Sequence, residues 1–312
     1  MRKLMMFSVA TLAATMTFAQ EAEKKAEVKA DAAETQIEEK DDAPIFWGFG
    51  NYGLYSGYQL YGSLVNREPT LQGYAEVNAN LSVSDVSLGY LGLGLWSNSD
   101  LTCYRKDKYG RIFNEWDFNI HWGTTFWFDD DKTWGLDYRT SIVWYYYPHR
   151  MYQKGYRDGR RQDTDTTMDW NHSFALVNPF VTPFLDVVHE YHESDGNLLQ
   201  FGLKRSDMIG DSLKVTPSLT FVWRNSHYNW CFPTGFGTMK HGTGLATMKI
   251  GLDLDYQISE HFGIFAKVAY CSVLDKDLRD NCDHRDQAFD GCYYGIKDKD
   301  FAWGGIGVSF NF

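Results

Sequence analysis

Residues Leu245–Ile258 read LATMKIGLDLDYQI. Ala246, Met248, Ile250, Leu252, Leu254, Tyr256 and Ile258 are apolar; Thr247, Lys249, Gly251, Asp253, Asp255 and Gln257 between them are polar or small. Successive side chains on an extended strand point to opposite sides, so this stretch predicts a strand with one oily face and one wet face. The same period of two returns upstream. Trp116, Phe118, Ile120, Trp122, Thr124 and Phe126 alternate with Glu115, Asp117, Asn119, His121, Gly123 and Thr125. Then Leu136, Tyr138, Thr140, Ile142 and Trp144 alternate with Asp137, Arg139 and Ser141.

Twelve such segments follow one another between Trp47 and Phe312. The connectors between them alternate in length. Ser82–Asp85, Asp129–Thr133, Asn178–Pro179, Ser206–Ser212 and Ser259–His261 are short. Gln59–Pro69, Ser97–Asn114, Pro148–Thr166, Glu190–Asn197, Asn225–Gly244 and Leu274–Asp300 are longer. This pattern predicts an all-β fold: a transmembrane antiparallel up-and-down β-barrel of about 12 strands, with tight periplasmic turns and long external loops. A soluble sandwich also alternates with period two. Against it stand Trp47, Trp116, Trp134, Trp144, Trp170 and Trp223 near strand ends, where an aromatic girdle belongs, and a last strand ending in Phe310 and Phe312, the expected assembly signal.

The rest of the chain fits an exported protein. Residues 1–19 read as a signal peptide, with Arg2 and Lys3 ahead of an apolar run that ends at Thr17-Phe18-Ala19. Residues 20–44 carry nine acids against four lysines and too few apolar groups to form a core, so they read as a periplasmic tail or linker. The barrel occupies 45–312. Over all 312 residues, 41 acids face 30 lysines and arginines, which argues against nucleic acid as a partner. A mean hydropathy of −0.42 excludes a bundle of membrane helices. The expected partners are outer-membrane lipid and lipopolysaccharide, the outer-membrane assembly machinery and small polar solutes.

Strand parity nominates the lumen-facing charges. The acids are Glu76, Glu115, Asp117, Asp137, Asp169, Asp253 and Asp255, and the cations Arg139, Lys204, Lys214, Arg224, Lys249 and Lys267. Near-balanced charge suits a polar pore with a transverse field, or an interior closed by its own salt bridges. Twelve strands leave a modest lumen that an infolded loop could seal. Two external loops are basic, one with Arg105, Lys106, Lys108 and Arg111, the next with Arg150, Lys154, Arg157, Arg160 and Arg161. They suit anionic solutes or lipopolysaccharide phosphates, or simply a solvated rim. The acids of the last loop lack EF-hand spacing, and Cys282, His284 and Cys292 lack zinc spacing, so no metal and no cofactor is expected.

Cysteines stand at 103, 231, 271, 282 and 292. One pairing joins Cys282 with Cys292 and Cys103 with Cys231, leaving Cys271 free; spacing alone does not choose among the pairings. Asn171-His172-Ser173 offers the residue types of a barrel hydrolase, but neighbours on a strand face opposite ways, so His172 and Ser173 cannot pair. The reading is a diffusion channel rather than an enzyme. The alternatives are a plugged structural or adhesive barrel and, behind it, a hydrolase.

The order of short motifs also resembles a known family. Tyr55-Ser56-Gly57-Tyr58 with Gly62, then Pro69 and Gln72, Glu115 and Asp117, Tyr147-Pro148, Pro183, Gly202, Pro217 and Trp303-Gly304-Gly305 are similar in sequence and order to the TorF-like family of bacterial porins. The resemblance spans most of Gly48–Phe312 and implies an outer-membrane barrel acting as a channel. It brings no catalytic residue or substrate with it. The cysteine-bearing loops and the Glu/Lys/Ala tail depart from the family pattern.

Overall fold

The computed structural model describes residues 45–66, 69–83, 86–101, 114–146, 155–157, 160–162, 166–191, 195–231, 242–283 and 298–312. The proposed signal peptide and tail lie outside these residues. Twelve long antiparallel strands close into a barrel. In chain order they are β1 (Phe46–Tyr55), β4 (Thr70–Val83), β5 (Val86–Asp100), β6 (Asn114–Trp127), β7 (Gly135–Tyr146), β10 (Thr166–Val177), β11 (Thr182–Glu190), β12 (Gly196–Lys204), β14 (Leu213–Arg224), β15 (Gly244–Gln257), β16 (Phe262–Val273) and β17 (Asp300–Asn311). Each pairs with its neighbour, β12 pairs with β14, and β1 pairs with β17 to close the ring. Closure leaves no unpaired edge, as a barrel in a membrane requires.

Three short hairpin elements and two short helices decorate this ring. β2 (Tyr58–Leu60) pairs with β3 (Ser63–Asn66), β8 (Gly155–Arg157) with β9 (Arg160–Gln162), and β13 (Asp207–Ile209) extends β14 at a tight turn. Helix α1 (Ser226–Cys231) follows β14 and helix α2 (Lys276–Asp283) follows β16. The Asp275 carboxylate caps α2 by accepting from the Leu278 amide at 2.9 Å.

Register decides which face each side chain takes. Leu93, Ile120, Ile250, Val268 and Ile306 are 62%, 47%, 51%, 57% and 63% exposed, while Glu76, Asn78, Asn98, Glu115 and Asp169 on the other face are at most 3% exposed. Oil outside and buried polar groups inside invert a soluble protein and match a membrane-spanning barrel. Trp116, Trp144 and Trp170 lie on the outer face, 39–49% exposed. Trp47 does not. It sits on the inner parity of β1, its indole N–H donating to Asn80 Oδ1 at 3.2 Å and its ring 5.3 Å from Tyr90. The cause is the parity of β1, where Phe49 opposes the inward Glu76 and places Trp47 on the same face. Ala246 also departs from the alternation. A register shift between Val222 and Trp223 buries it completely against Val273 and Leu278 of α2.

Candidate functional site

The lumen divides into two parts. At the long-loop end the first connector, expected as an external loop, folds inward as the hairpin β2–β3. Leu60 pairs with Ser63, leaving Tyr61 and Gly62 as the two turn residues, with φ of 48° and 75°. Two left-handed central residues make the tight turn that suits a hairpin, and Gly62 adopts it without strain. Gly62 also approaches the opposite wall so closely that a Cβ there would meet Thr247 Oγ1 at 2.6 Å.

The wall holds the tip by named bonds. Arg224 Nη2 donates to the Tyr61 carbonyl at 3.0 Å and to Ser63 Oγ at 3.1 Å, and Thr247 Oγ1 donates to the same carbonyl at 2.8 Å. Trp303 Nε1 donates to the Gly57 carbonyl at 2.8 Å. Leu64 packs with Cys271 and Phe301, and the Tyr61 ring meets Tyr228 of α1 edge-on at 6.3 Å. The hairpin thus fills the lumen from β1 and β17 across to β14 and β15. Burial raises the Tyr61 phenol above its usual value, with Asp169 and Asp186 adding to the effect. Burial likewise raises Tyr228, and Tyr61 and Asp169 add to it.

Acids line the wall beneath the hairpin. Glu115, Asp117, Asp169 and Glu190 are 2%, 9%, 3% and 0% exposed. Tyr145 donates to Asp169 at 2.8 Å and Thr167 donates to Glu190 at 2.5 Å.

Towards the turn end, a polar network crosses four strands. Glu76 of β4 accepts from Asn78 Nδ2 at 2.9 Å, from Arg139 Nη2 of β7 at 2.9 Å, and from the Tyr74 hydroxyl. His121 of β6 bonds Asn78 at 2.7 Å and Asn119 at 2.8 Å. These groups meet above β5 because Gly92 and Gly94 carry no side chains. A Cβ on Gly92 would sit 2.2 Å from both Asn78 Oδ1 and His121 Nε2.

Beside this network lies a cavity of about 650 Å³. Thr125, Asp137 and Arg139 line one side, Ser173, Phe184 and Asp186 the next, and Gln200 and Lys204 the third. Lys204 stands 6.0 Å above the Phe184 ring. Further round the wall, Lys267 and Asp253 approach to 3.5 Å. The cavity is polar, charged with both signs and roomy enough for several waters.

Register places all thirteen sequence-nominated lumen charges on the inner face. It distributes them unevenly: Arg224 holds the hairpin and Glu115, Asp117 and Asp169 line the long-loop half of the β6–β10 wall, whereas Glu76, Asp137, Arg139 and Lys204 belong to the network and cavity. Lys214, Lys249, Asp253, Asp255 and Lys267 line the β14–β16 wall. Sequence reasoning missed Asp186, Glu190, His121 and Tyr145. The first two sit on the nine-residue strand β11, too short for a clear alternation; His121 stands out only as one member of a polar face, and Tyr145 lies in a Tyr-Tyr-Tyr run where alternation is invisible.

His172 and Ser173 face opposite ways, His172 opposing outward Thr140 and Ser173 opposing inward Arg139. Cys271 is a buried free thiol. Cys103 and Cys292 lie outside the described residues, as do the side chains of Cys231 and Cys282. The basic loop residues Arg105, Lys106, Lys108, Arg111, Arg150 and Lys154 lie outside them too, and Arg157, Arg160 and Arg161 are described only as backbone of β8 and β9. Phe310 is on the outer face, and Phe312 exchanges backbone hydrogen bonds with Gly48. Among the described residues no group of three or more His, Cys, Asp or Glu could hold a metal ion.

No family model and no curated protein matches the chain. Solved structures similar to it include the KdgM porin, at 7% identity over 85% of this chain and 99% of that one, with a TM-score of 0.41. An outer membrane channel from Pseudomonas putida is 10% identical over 86% and 97%, with a TM-score of 0.45. Outer membrane phospholipase A from Escherichia coli is 12% identical over 85% and 92%, with a TM-score of 0.41. At such identities and scores, the reading of this chain rests on its own residues.

Proposed function

We propose that this chain is a bacterial outer-membrane channel for small polar solutes, closed at its long-loop end by the β2–β3 hairpin. The supporting observation is the charged cavity of about 650 Å³ behind that hairpin. A barrel serving only as a scaffold gains stability by packing its interior, and unpaired charge around a wet cavity works against that. Here Lys204, Asp137 and Asp186 line open space, which is the arrangement a passing solute meets. The long loops then face the cell exterior. The turns, the start of β1 and the acidic tail then lie on the periplasmic side. The outward His172 and inward Ser173 weigh against a hydrolase.

The alternative is a permanently plugged barrel serving structure or adhesion, favoured by the number of bonds that hold the hairpin tip. Planar-bilayer conductance separates the two. The refolded mature chain should show rare, small openings. A chain whose Tyr58–Asn66 hairpin is replaced by a short Gly/Ser link should conduct steadily and admit small sugars into liposomes. A hairpin-less barrel that is folded yet silent overturns the channel reading.

A further inference from the structure

The cavity at the turn end has an ordered lining. Register sets four polar side chains level with one another on neighbouring strands: Arg139 of β7, Ser173 of β10, Asp186 of β11 and Gln200 of β12. Neighbouring strands lie about 4.8 Å apart, so this row is roughly 14 Å long. The next inward row, nearer the turns, pairs Asp137 with Ala175, Ala175 with Phe184 and Phe184 with Gly202. Small residues therefore flank the Phe184 ring on both sides. The ring leans over Gly202, where a Cβ would meet its Cε1 at 3.0 Å.

The polar row offers donors and acceptors side by side. Gln200 Nε2 donates to Asp186 Oδ2 at 2.9 Å, which leaves the second carboxylate oxygen and the Gln200 carbonyl able to accept. Ser173 brings a hydroxyl that does both. Arg139 spends Nη2 on Glu76 and Tyr74 and keeps the N–H groups of its other two nitrogens as donors. Asp137 and Asp186 balance Arg139 and Lys204, so the lining carries no net charge. Lys204 is exposed, and its Nζ stands 6.0 Å from the Phe184 centroid, the outer limit of a cation–π contact, so its flexible stem can swing clear of the ring.

We infer that this cavity is a binding site for neutral sugars, in which the row of Arg139, Ser173, Asp186 and Gln200 takes the hydroxyls and the Phe184 ring takes the C–H face of a pyranose. Vicinal hydroxyls require donors and acceptors next to one another, and here charged groups of both signs strengthen those bonds. The axial C–H bonds of the sugar ring are weakly positive and are drawn to the negative face of an aromatic ring. A solute of either net charge would meet two like charges along with two opposite ones; a neutral polyol uses all four as hydrogen-bond partners. A volume of about 650 Å³ admits one or two sugar rings. The inference rests on the channel reading and deepens it by naming a substrate class.

Saturation-transfer difference NMR tests it on the full mature chain, refolded in a detergent without a sugar head group, with glucose, galactose and maltose as probes. Saturation should pass to the ring C–H protons of at least one of them, and glucuronate, glucosamine and glycylglycine should bind at least fivefold more weakly. Silence from all three sugars, or a charged or zwitterionic probe that binds as tightly, overturns the site. Phe184→Leu keeps bulk but loses the ring; it should weaken sugar binding at least fivefold, and Phe184→Tyr should restore it. Unchanged binding by the leucine variant overturns the site. Should that variant not fold, as judged by heat-modifiable migration, Ser173→Ala and Asp186→Asn decide: undiminished sugar binding in both overturns it. Binding in micelles needs no conduction. A sugar-binding barrel that stays silent without its hairpin would keep the site and sink the channel, whereas a hairpin-less barrel that conducts while the full chain binds no sugar would keep the channel and sink the site.

Discussion

Arg139 Nη2 lies 2.9 Å from Glu76 Oε2, although two whole strands, β5 and β6, separate β7 from β4. The bond spans them because Gly92 and Gly94 remove the side chains that would stand between, and because Gly123 on β6 opposes Arg139. One carboxylate therefore ties a third of the wall together. Glu76→Gln should lose about 1–2 kcal/mol of stability, a charge-assisted bond discounted for the partly exposed Arg139. Urea unfolding in lipid, followed by tryptophan fluorescence, measures it; an unchanged midpoint would show the network to be dispensable.

Gly92→Val tests the same construction from beneath. The added carbons would enter the space of Asn78 and His121, both held in place by other bonds. A loss of about 1–3 kcal/mol follows from overpacking. Leu91→Val, on the outer face of the same strand, should move the unfolding midpoint by less than half as much.

Ile250 and Asp253 sit on opposite faces of β15. A lysine at the lipid-facing position costs about 2–4 kcal/mol near the bilayer midplane, while one in a hydrated lumen costs far less. Ile250→Lys should therefore cut the yield of heat-modifiable, membrane-inserted barrel much more than Asp253→Lys. Equal yields would mean that the faces have been assigned the wrong way round.

The barrel and the inner parity of its charges were legible from period two read together with the alternating connector lengths and the aromatic strand ends, because a lipid exterior penalises every wrongly placed charge and so keeps the pattern clean. Trp47 escaped because aromatic residues suit either face near a strand end. Ala246 escaped because a bulge is a local accident of hydrogen bonding that leaves no periodic trace. The hairpin was hidden for another reason. Its residues, Tyr58 to Asn66, look like any surface loop, and the groups that turn them inward, Arg224, Thr247 and Trp303 among them, lie far along the chain.

Lys204 is the cation of the cavity that bonds to no carboxylate among the described residues; it stands over Phe184 instead. In the hairpin-less chain, Lys204→Glu should shift the reversal potential in a KCl gradient towards cation preference. A reversal potential that stays put would place the conduction path elsewhere in the lumen.

Arg224→Met removes both hairpin bonds while keeping bulk and apolar contact. Open probability in planar bilayers should rise several-fold, and Thr247→Val, which removes a single bond to the same carbonyl, should raise it less. No change in either variant would assign the seal to apolar packing around Leu64.

The hairpin leaves the ribosome early, yet the anchors of its tip lie 161 to 186 residues further along the chain. Contacts so distant in sequence form late, after the strands that carry them have found their neighbours. Until β14 and β15 are in place the tip has nowhere to dock. A half-built barrel is therefore an unstoppered one, and the stopper seats only when the circle of strands is complete. The seat of the first loop is thus built by strands from the far half of the chain, and it exists only once they stand beside one another.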